Sequence, residues 1–418
     1  MVSSMAAHSR RGCSLVARSS ALLAAVLLVV MVGIGARPAA ASAAAKCSSA
    51  PPAGPVIPDI PWPQARYDLT AIGQVSEGAG TLVAVIDSGV DATNPQLAGT
   101  VVQGGGDLLD PTGDGRDDCV GHGTAVASII AARPTDGAGL RGLAPAAKIL
   151  AVKVSEKIAT ENGVTGSGDV RELVAGIRQA VRHSPKPQVI NLSISTTTDN
   201  SDLRAAIQSA LDADIVVVAA VGNEFQRGNP QPYPASYDGV VGVGAIGQSG
   251  ERVALSQVGS YVDLVAPGDA VIGAAPRSGH IAYQGTSFAA PFVAATAALI
   301  RSRWPDLNRV EVVRRLLATA DPAAGGRPSP DYGYGVVNPL RALTELLPPE
   351  AAVPVASPSP VIPAGLAAPD QRSAPAPLVW GTAAVLLLAA GAIAGVAAAV
   401  PMGRRRGWKP GRIPPDST

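Results

Sequence analysis

Short, nearly uninterrupted apolar runs alternate with longer amphipathic stretches between about residues 64 and 347. Apolar strands that alternate with helices are typical of a parallel β-sheet that is covered on both faces. The pattern therefore predicts a three-layer α/β fold with a mostly parallel central sheet. The predicted strands are Thr81–Ile86, Lys148–Val154, Val189–Ile194, Ile215–Ala220, Val240–Ala245 and Tyr261–Val265, and the predicted helices are Gly123–Ala132, Gly168–His183, Ser201–Leu211, Ser287–Trp304 and Arg309–Ala318.

The N-terminal segment is too apolar for a water-exposed part of a globular domain. Three arginines, Arg10, Arg11 and Arg18, precede an apolar run from Ala21 to Val32, and the small residues of 41–43 follow. A basic region, a short apolar region and a small-residue cleavage site are typical of a secretory signal. We expect residues 1–43 to be this signal.

A second apolar segment lies near the C-terminus. Residues 378–400 carry no charge and are long enough to cross a hydrocarbon layer of about 30 Å. Three arginines, 404–406, follow at once, and positive charge is retained on the cytoplasmic side. The sequence therefore predicts a single-pass cell-membrane protein with residues 401–418 in the cytoplasm and the globular part outside it.

Two segments rich in proline and alanine flank the globular pattern. Residues 44–63 are an N-terminal extension, and residues 348–377 also contain many serines. Such compositions cannot bury a core and are typical of extended spacers. We thus expect one globular domain, 64–347, tethered to the membrane.

Two cysteines are predicted to remain after the signal is removed. Cys13 leaves with the signal, so Cys47 and Cys119 stay in an oxidising compartment. Only one intramolecular pairing is then available, and we predict a Cys47–Cys119 disulfide. Two unpaired thiols, or a bond to another protein, are the alternatives.

Charge and histidine content argue against several classes of protein. The net charge of +1 gives no reason to expect nucleic acid as a partner. There is no His-Glu-x-x-His motif, and no second histidine lies near His122, which disfavours a metal hydrolase. The acidic run Asp107–Asp118 lacks EF-hand spacing, and we interpret it as a solvated surface loop, with a calcium site as the alternative. We expect neither a cofactor nor a metal.

Four polar residues occur at predicted strand ends or helix starts, where catalytic groups gather in α/β proteins. Asp87 follows the first strand, His122 stands between two glycines, Asn223 follows a strand and a glycine, and Ser287 opens an apolar helix. Each has an ordinary alternative, since Asp87 and Asn223 fit turns and Ser287 fits a helix cap. Their occurrence together, in the order Asp, His, Asn, Ser, favours nucleophilic catalysis.

The motifs around these residues resemble those of the subtilisin-like serine proteases. They are Val85-Ile86-Asp87-Ser88-Gly89-Val90, Gly121-His122-Gly123-Thr124 and Gly285-Thr286-Ser287-Phe288-Ala289-Ala290-Pro291. The resemblance implies that Asp87, His122 and Ser287 form a catalytic triad in the order seen in subtilisin. It also implies that Asn223 and the Ser287 N–H stabilise the oxyanion.

The resemblance also implies a substrate-binding cleft. In the family, the strand matching residues 191–195 pairs with the substrate backbone, and Ser193, Ile194 and the residues from Ala220 to Gly222 are expected to border the P1 pocket. Ser195 stands where the family usually has glycine, and we expect its side chain to narrow the cleft.

The predicted architecture resembles one subtilase branch, the mycosins of type VII secretion systems. A C-terminal membrane span with a basic tail, a cysteine pair and too few residues for a large pro-domain carry this resemblance. It implies processing of selected secreted proteins and association with the membrane secretion complex. A structural scaffold of that complex and a broad-specificity surface protease are the alternatives.

Overall fold

The computed structural model describes residues 52–156, 158–160, 163–165 and 169–347, and for 158–160 and 163–165 it describes the backbone alone. The predicted signal peptide, spacer, membrane span and cytoplasmic tail lie outside these residues, as do residues 44–51 of the predicted extension. Among the described residues, no helix is both long and apolar enough to cross a membrane.

The centre of the molecule is a seven-stranded parallel sheet, which confirms the predicted α/β class. Its strands are β1 Leu82–Asp87, β2 Val101–Asp107, β3 Lys148–Lys153, β6 Val189–Leu192, β7 Val216–Ala220, β8 Val241–Ile246 and β9 Leu264–Pro267. They are ordered β2-β3-β1-β6-β7-β8-β9, and each neighbouring pair runs parallel. Every residue of β1 is buried, because its alternate side chains enter the cores on opposite faces of the sheet.

Helices cover both faces of the sheet. They are α1 Trp62–Arg66, α2 Leu69–Val75, α3 His122–Ala131, α4 Val170–Arg182, α5 Ser201–Asp212, α6 Thr286–Arg303, α7 Arg309–Ala318 and α8 Pro339–Thr344. One core lies between the sheet and helices α3 and α6, and the other lies between the sheet and helices α4 and α5. Helix α6 is buried along nearly its whole length and packs across β6 to β9, which explains its uniformly apolar sequence.

Several elements differ from the predicted pattern. Strand β2 was not predicted, because its sequence contains three consecutive glycines and lacks a continuous apolar run. Two antiparallel hairpins were also missed: β4 Ile158–Thr160 with β5 Gly163–Thr165, and β10 Val271–Ala274 with β11 His280–Tyr283. The predicted strand Tyr261–Val265 is shifted towards the C-terminus, because Val262 N–H closes a turn with the Gly259 carbonyl before β9 starts.

The topology brings the polar residues singled out in the sequence to one edge of the sheet. Asp87 closes β1, Ala220 closes β7, and the carboxyl ends of parallel strands lie at a common edge. The helices that follow begin at this edge, and two of them start at His122 and at Thr286, next to Ser287. A functional site is therefore expected at this edge.

Candidate active site

Asp87 and His122 are joined by a short hydrogen bond. The His122 Nδ1 atom lies 2.7 Å from Asp87 Oδ1, and the same oxygen accepts a 2.7 Å hydrogen bond from Ser88 N–H. Asp87 is 1% exposed, so its carboxylate acts from inside the protein. A carboxylate can only accept, so the proton of a neutral His122 ring lies on Nδ1 and leaves Nε2 free to act as a base.

Electrostatics favour the protonated form of this histidine. Burial opposes a charged imidazole, but the charge and hydrogen bond of Asp87, with a further contribution from Asp118, outweigh burial and raise the pKa of His122. The arrangement therefore stabilises an imidazolium, which is the state that a general base reaches after it takes a proton.

The glycines beside His122 allow helix α3 to approach β1 closely. Gly121 precedes the helix with φ +89°, a left-handed conformation that favours glycine. A β-carbon on Gly123 would lie 2.1 Å from the Gly89 carbonyl oxygen and 3.0 Å from Asp87 Cβ. The absence of side chains at these two positions therefore sets the short distance between Asp87 and His122.

Ser287 is the second residue of helix α6 and forms a reciprocal pair with Ser193. Its Oγ donates to the Ser193 carbonyl oxygen at 3.1 Å, and Ser193 Oγ donates to the Ser287 carbonyl oxygen at 2.7 Å. In this conformation the Ser287 hydroxyl is thus bonded to Ser193 and not to His122. The adjacent Phe288 contacts the His122 ring, with 5.0 Å between ring centroids, which brings the two helix starts together.

Asn223 is anchored through one end of its amide. Its Oδ1 atom accepts hydrogen bonds from Thr286 N–H at 2.9 Å and from Thr286 Oγ1 at 3.1 Å. This orientation leaves both Nδ2 protons available as donors, beside the residue that precedes Ser287. The geometry suits an amide that donates to an incoming oxygen.

The residues predicted to line a cleft lie on the segments that end or follow two neighbouring strands, β6 and β7. Ser193, Ile194 and Ser195 follow β6, while Ala220 closes β7 and Gly222 follows it with φ +92°. The hydroxyl of the exposed Ser195 lies 3.3 Å from the position that a β-carbon on Gly222 would occupy. The Ser195 side chain therefore lies next to Gly222, on the segment that follows β7.

The interpretation of Asp107–Asp118 as a solvated loop was wrong at both ends of the run. Asp118 is 3% exposed and accepts hydrogen bonds from groups around the start of helix α3. The Asp107 side chain is 5% exposed and lies 3.6 Å from the buried ammonium of Lys153. Sequence reasoning missed Asp118, because an acidic run is usually solvated.

Lys153 gathers three carboxylates next to this loop. Its Nζ lies 3.6 Å from Asp107 and from Asp117, and 2.5 Å from Glu156. Burial disfavours the ammonium, but the hydrogen bond with Glu156 and the three negative charges outweigh burial and raise the pKa of Lys153. The Lys153 ammonium thus balances the negative charge of these carboxylates. Among the described residues, no group of three or more His, Cys, Asp or Glu side chains is suited to hold a metal.

Two further residues, His280 and Cys119, are buried in the structure. His280, which was not singled out from the sequence, begins strand β11 and is 3% exposed. Cys119 is buried, while Cys47 lies outside the described residues, so the Cys47–Cys119 disulfide stays a prediction.

The fold and the site together define the class of protein. The model of the subtilase family, peptidase S8, matches residues 78–335. The chain therefore belongs to the subtilase family of serine peptidases.

Similar curated proteins include subtilisins and mycosins. The chain is 38% identical over 263 residues to subtilisin NAT of Bacillus subtilis subsp. natto, which covers 62% of this chain and 65% of that protein. It is 33% identical over 388 residues to mycosin-1 of Mycobacterium tuberculosis, and this match covers 80% of this chain and 85% of mycosin-1. Mycosin-3 of the same species is 35% identical over 404 residues, with 84% and 85% covered. The match thus spans just under two thirds of that subtilisin and more of the two mycosins.

Solved structures give the same family. The MycP3 protease of the type VII (ESX-3) secretion system matches with a TM-score of 0.61 and 31% identity, covering 70% of this chain and 92% of that one. MycP1 with its N-terminal propeptide removed matches with a TM-score of 0.60 and 31% identity, covering 69% and 98%. The predicted subtilisin-like fold is confirmed.

Proposed function

We propose that the protein is a serine endopeptidase whose triad is Asp87, His122 and Ser287. The observation that carries this proposal is the 2.7 Å bond between His122 Nδ1 and the buried Asp87, which presents Nε2 as a base. In this scheme Ser287 Oγ attacks the scissile carbonyl while His122 takes its proton. His122 then donates that proton to the leaving amine, which leaves the acyl group on Ser287 Oγ. Water, deprotonated by His122, attacks this acyl-enzyme, and His122 returns the proton to Ser287 Oγ as the new carboxyl end leaves; Asp87 holds the ring and its charge throughout.

An oxyanion site is proposed between Asn223 and the Ser287 backbone. The Asn223 amide is held by Thr286, so its Nδ2 donors need no reorganisation when negative charge develops. The Ser287 N–H lies in the first turn of helix α6, where amide groups point out of the helix and favour negative charge.

A substrate cleft is proposed in which an extended peptide pairs with the segment 191–195, with its P1 side chain bordered by Ser193, Ile194 and the residues 220–222. Strand addition to such a segment gives affinity through backbone hydrogen bonds with little sequence reading. Ser195 restricts this cleft in our proposal, since its hydroxyl lies close to Gly222. The Ser195→Gly variant should then accept bulkier side chains in a peptide library, and an unchanged cleavage profile would refute this role.

The cellular role is proposed to be that of a membrane-anchored protease of type VII secretion. Support comes from the similarity to mycosins over more than 80% of their length and to MycP proteases of type VII systems. The signal at 1–43 and the span at 378–400 would place the protease domain outside the cytoplasm. A Cys47–Cys119 bond would fasten the extension to the loop before His122, and the disulfide-bonded state of Cys119 supports it.

Proteolysis is tested with the full-length protein in mild detergent. It would be incubated with a proteome-derived peptide library and with casein, beside Ser287→Ala. New peptide termini that form with the wild type and not with Ser287→Ala support the endopeptidase, and intact casein supports a selective enzyme. Equal products from the two proteins would refute catalysis by Ser287.

The secretion role is tested in the source cells by comparing a deletion strain with strains that carry wild type or Ser287→Ala. Loss of type VII export on deletion, with export restored but secreted proteins unprocessed in Ser287→Ala, would indicate both a catalytic and a structural role. Normal export and processing in the deletion strain would contradict the proposed role.

A further inference from the structure

The buried carboxylate of Asp118 has more hydrogen-bond donors around it than any simple loop turn requires. Its Oδ1 accepts from Ser88 Oγ at 2.9 Å, Val120 N at 3.0 Å and Gly121 N at 2.8 Å. Its Oδ2 accepts from Thr124 N at 2.9 Å and from Thr124 Oγ1 at 2.7 Å. Burial raises the pKa of Asp118, and the hydrogen bonds from Thr124, Gly121 and Val120 oppose this effect. Three of the five donors are backbone amides, which cannot reverse their role and so favour the ionised carboxylate.

These contacts place Asp118 at the start of the helix that carries His122. The residue before the helix, Gly121, has no side chain with which to cap it. Asp118 takes over this task from three residues earlier, and a negative charge at a helix N-terminus is favourable.

The same network reaches the other half of the Asp87–His122 pair. Ser88 donates through its N–H to Asp87 and through its hydroxyl to Asp118. The Ser88 hydroxyl also accepts a 2.9 Å hydrogen bond from Gly123 N–H, directly after His122. Both members of the pair are therefore tied to one buried carboxylate.

We propose that Asp118 is a positioning residue for His122, which holds the first turn of helix α3 in place and provides a second negative charge behind the imidazole. This inference rests on the proposed catalytic role of His122. The first negative charge, on Asp87, orients the ring directly, while Asp118 acts through the backbone and through the local field.

The charged surroundings of His122 support the second part of the proposal. Asp87, at the end of β1, and Asp118, before α3, both raise the pKa of His122 against the effect of burial. Tyr283 of β11 stacks on Phe288 beside the ring, and burial and the charge of Asp118 raise the pKa of its phenol, so it stays neutral. Removal of the Asp118 charge is then expected to make the imidazole easier to deprotonate.

The test is the rate at which a fluorophosphonate probe labels Ser287 as a function of pH, since this reaction uses the histidine base and needs no known substrate. Full-length wild type, Asp118→Asn and Asp114→Asn would be compared. Asp114 lies in the same loop with a side chain that is 58% exposed, so Asp114→Asn makes the same charge change away from the network. We expect labelling by Asp118→Asn to slow by roughly tenfold to a hundredfold near neutral pH, as for a misplaced catalytic group.

The acidic limb of the pH profile reports the pKa of His122. A general loss of stability lowers the amount of active protein but does not move this limb, so the limb distinguishes the two causes. It should move to lower pH in Asp118→Asn and stay in place in Asp114→Asn. An unmoved limb in folded Asp118→Asn would overturn the proposal, whatever its rate. Wild type that is not labelled would refute the proposed function, whereas labelled wild type with an unaffected Asp118→Asn would refute this inference alone.

A second variant keeps the proposal testable if Asp118→Asn does not fold. Ser88→Ala keeps the Asp118 charge but removes the hydroxyl between Asp118 and Gly123 N–H. We expect slower labelling with an unmoved acidic limb. A labelling rate equal to that of wild type would overturn the positioning role.

Discussion

The hydroxyl of Ser287 donates to the carbonyl of Ser193, and the hydroxyl of Ser193 donates back to the carbonyl of Ser287. In the proposed mechanism the Ser287 hydroxyl must leave the Ser193 carbonyl and turn towards His122, and rotation about its side-chain torsion changes its direction in this way. A substrate strand that pairs with the segment 193–195 would compete for the same Ser193 carbonyl. We expect substrate binding itself to favour the reactive rotamer.

The proposed oxyanion donor gives a first prediction. Asn223→Ala removes the Nδ2 donors and should lower kcat of peptide hydrolysis by about a hundredfold to a thousandfold, with little effect on KM. Asn223→Asp is the matched control, because its carboxylate still accepts from Thr286 but cannot donate to an oxyanion. Steady-state kinetics should show comparable losses in both variants. Retained kcat in Asn223→Ala would contradict the assignment.

The close approach of helix α3 to β1 gives a second prediction. Gly123→Ala places a β-carbon 2.1 Å from the Gly89 carbonyl oxygen, so the helix must move away from Asp87. We expect at least a hundredfold loss of activity if the ring shifts by about 1 Å. Gly73→Ala is a matched control in helix α2, where the nearest atom to the added carbon is an Arg141 guanidinium nitrogen at 3.4 Å. Equal activity of the two variants would contradict the packing argument.

His280 gives a third prediction, about acid stability. Its Nδ1 accepts a 2.9 Å hydrogen bond from Ile57 N–H, and its Nε2 lies 2.6 Å from Gln96 Oε1. Protonation of Nδ1 would break the bond to Ile57, and burial lowers the pKa of His280 in the folded state. The folded state therefore prefers the neutral ring. The stability that neutral His280 contributes is constant above the ordinary histidine pKa of about 6.5 and is lost as pH falls below it.

The measurement is the thermal midpoint of wild type and His280→Asn between pH 7 and pH 5. Asparagine can place an oxygen near Nδ1 and does not titrate, so the general titration of carboxylates is common to both proteins. We expect wild type to lose more stability over this range, by about the 1 kcal/mol of one hydrogen bond. Parallel pH profiles would show that His280 does not control the attachment of residue 57.

Much of the scaffold was predictable from sequence because buried parallel strands read as apolar runs. Strand β1 and helix α6 are of this kind. Strand β2 and the hairpin of β10 and β11 were not predictable in this way, since partly exposed or glycine-rich strands lack such a run.

The identity of the polar site residues was more accessible from sequence than their interactions. The motifs singled out Asp87 and His122, and the structure joins them by a hydrogen bond. The orientation of Ser287 and the burial of Asp118 depend on contacts with residues distant in sequence or on loop conformation. Local patterns contain no signal for those contacts, and an acidic run is usually solvated.

The central claim is that Ser287 is the nucleophile activated by His122. The most direct measurement is covalent labelling of the full-length protein by a fluorophosphonate probe, with the modified peptide located by mass spectrometry. Wild type, Ser287→Ala, His122→Ala and the control Ser278→Ala would be treated side by side. The account predicts an adduct on Ser287 in wild type and Ser278→Ala, none in Ser287→Ala and strongly slowed labelling in His122→Ala. Labelling that persists in folded Ser287→Ala, or that is unaffected in His122→Ala, would contradict it.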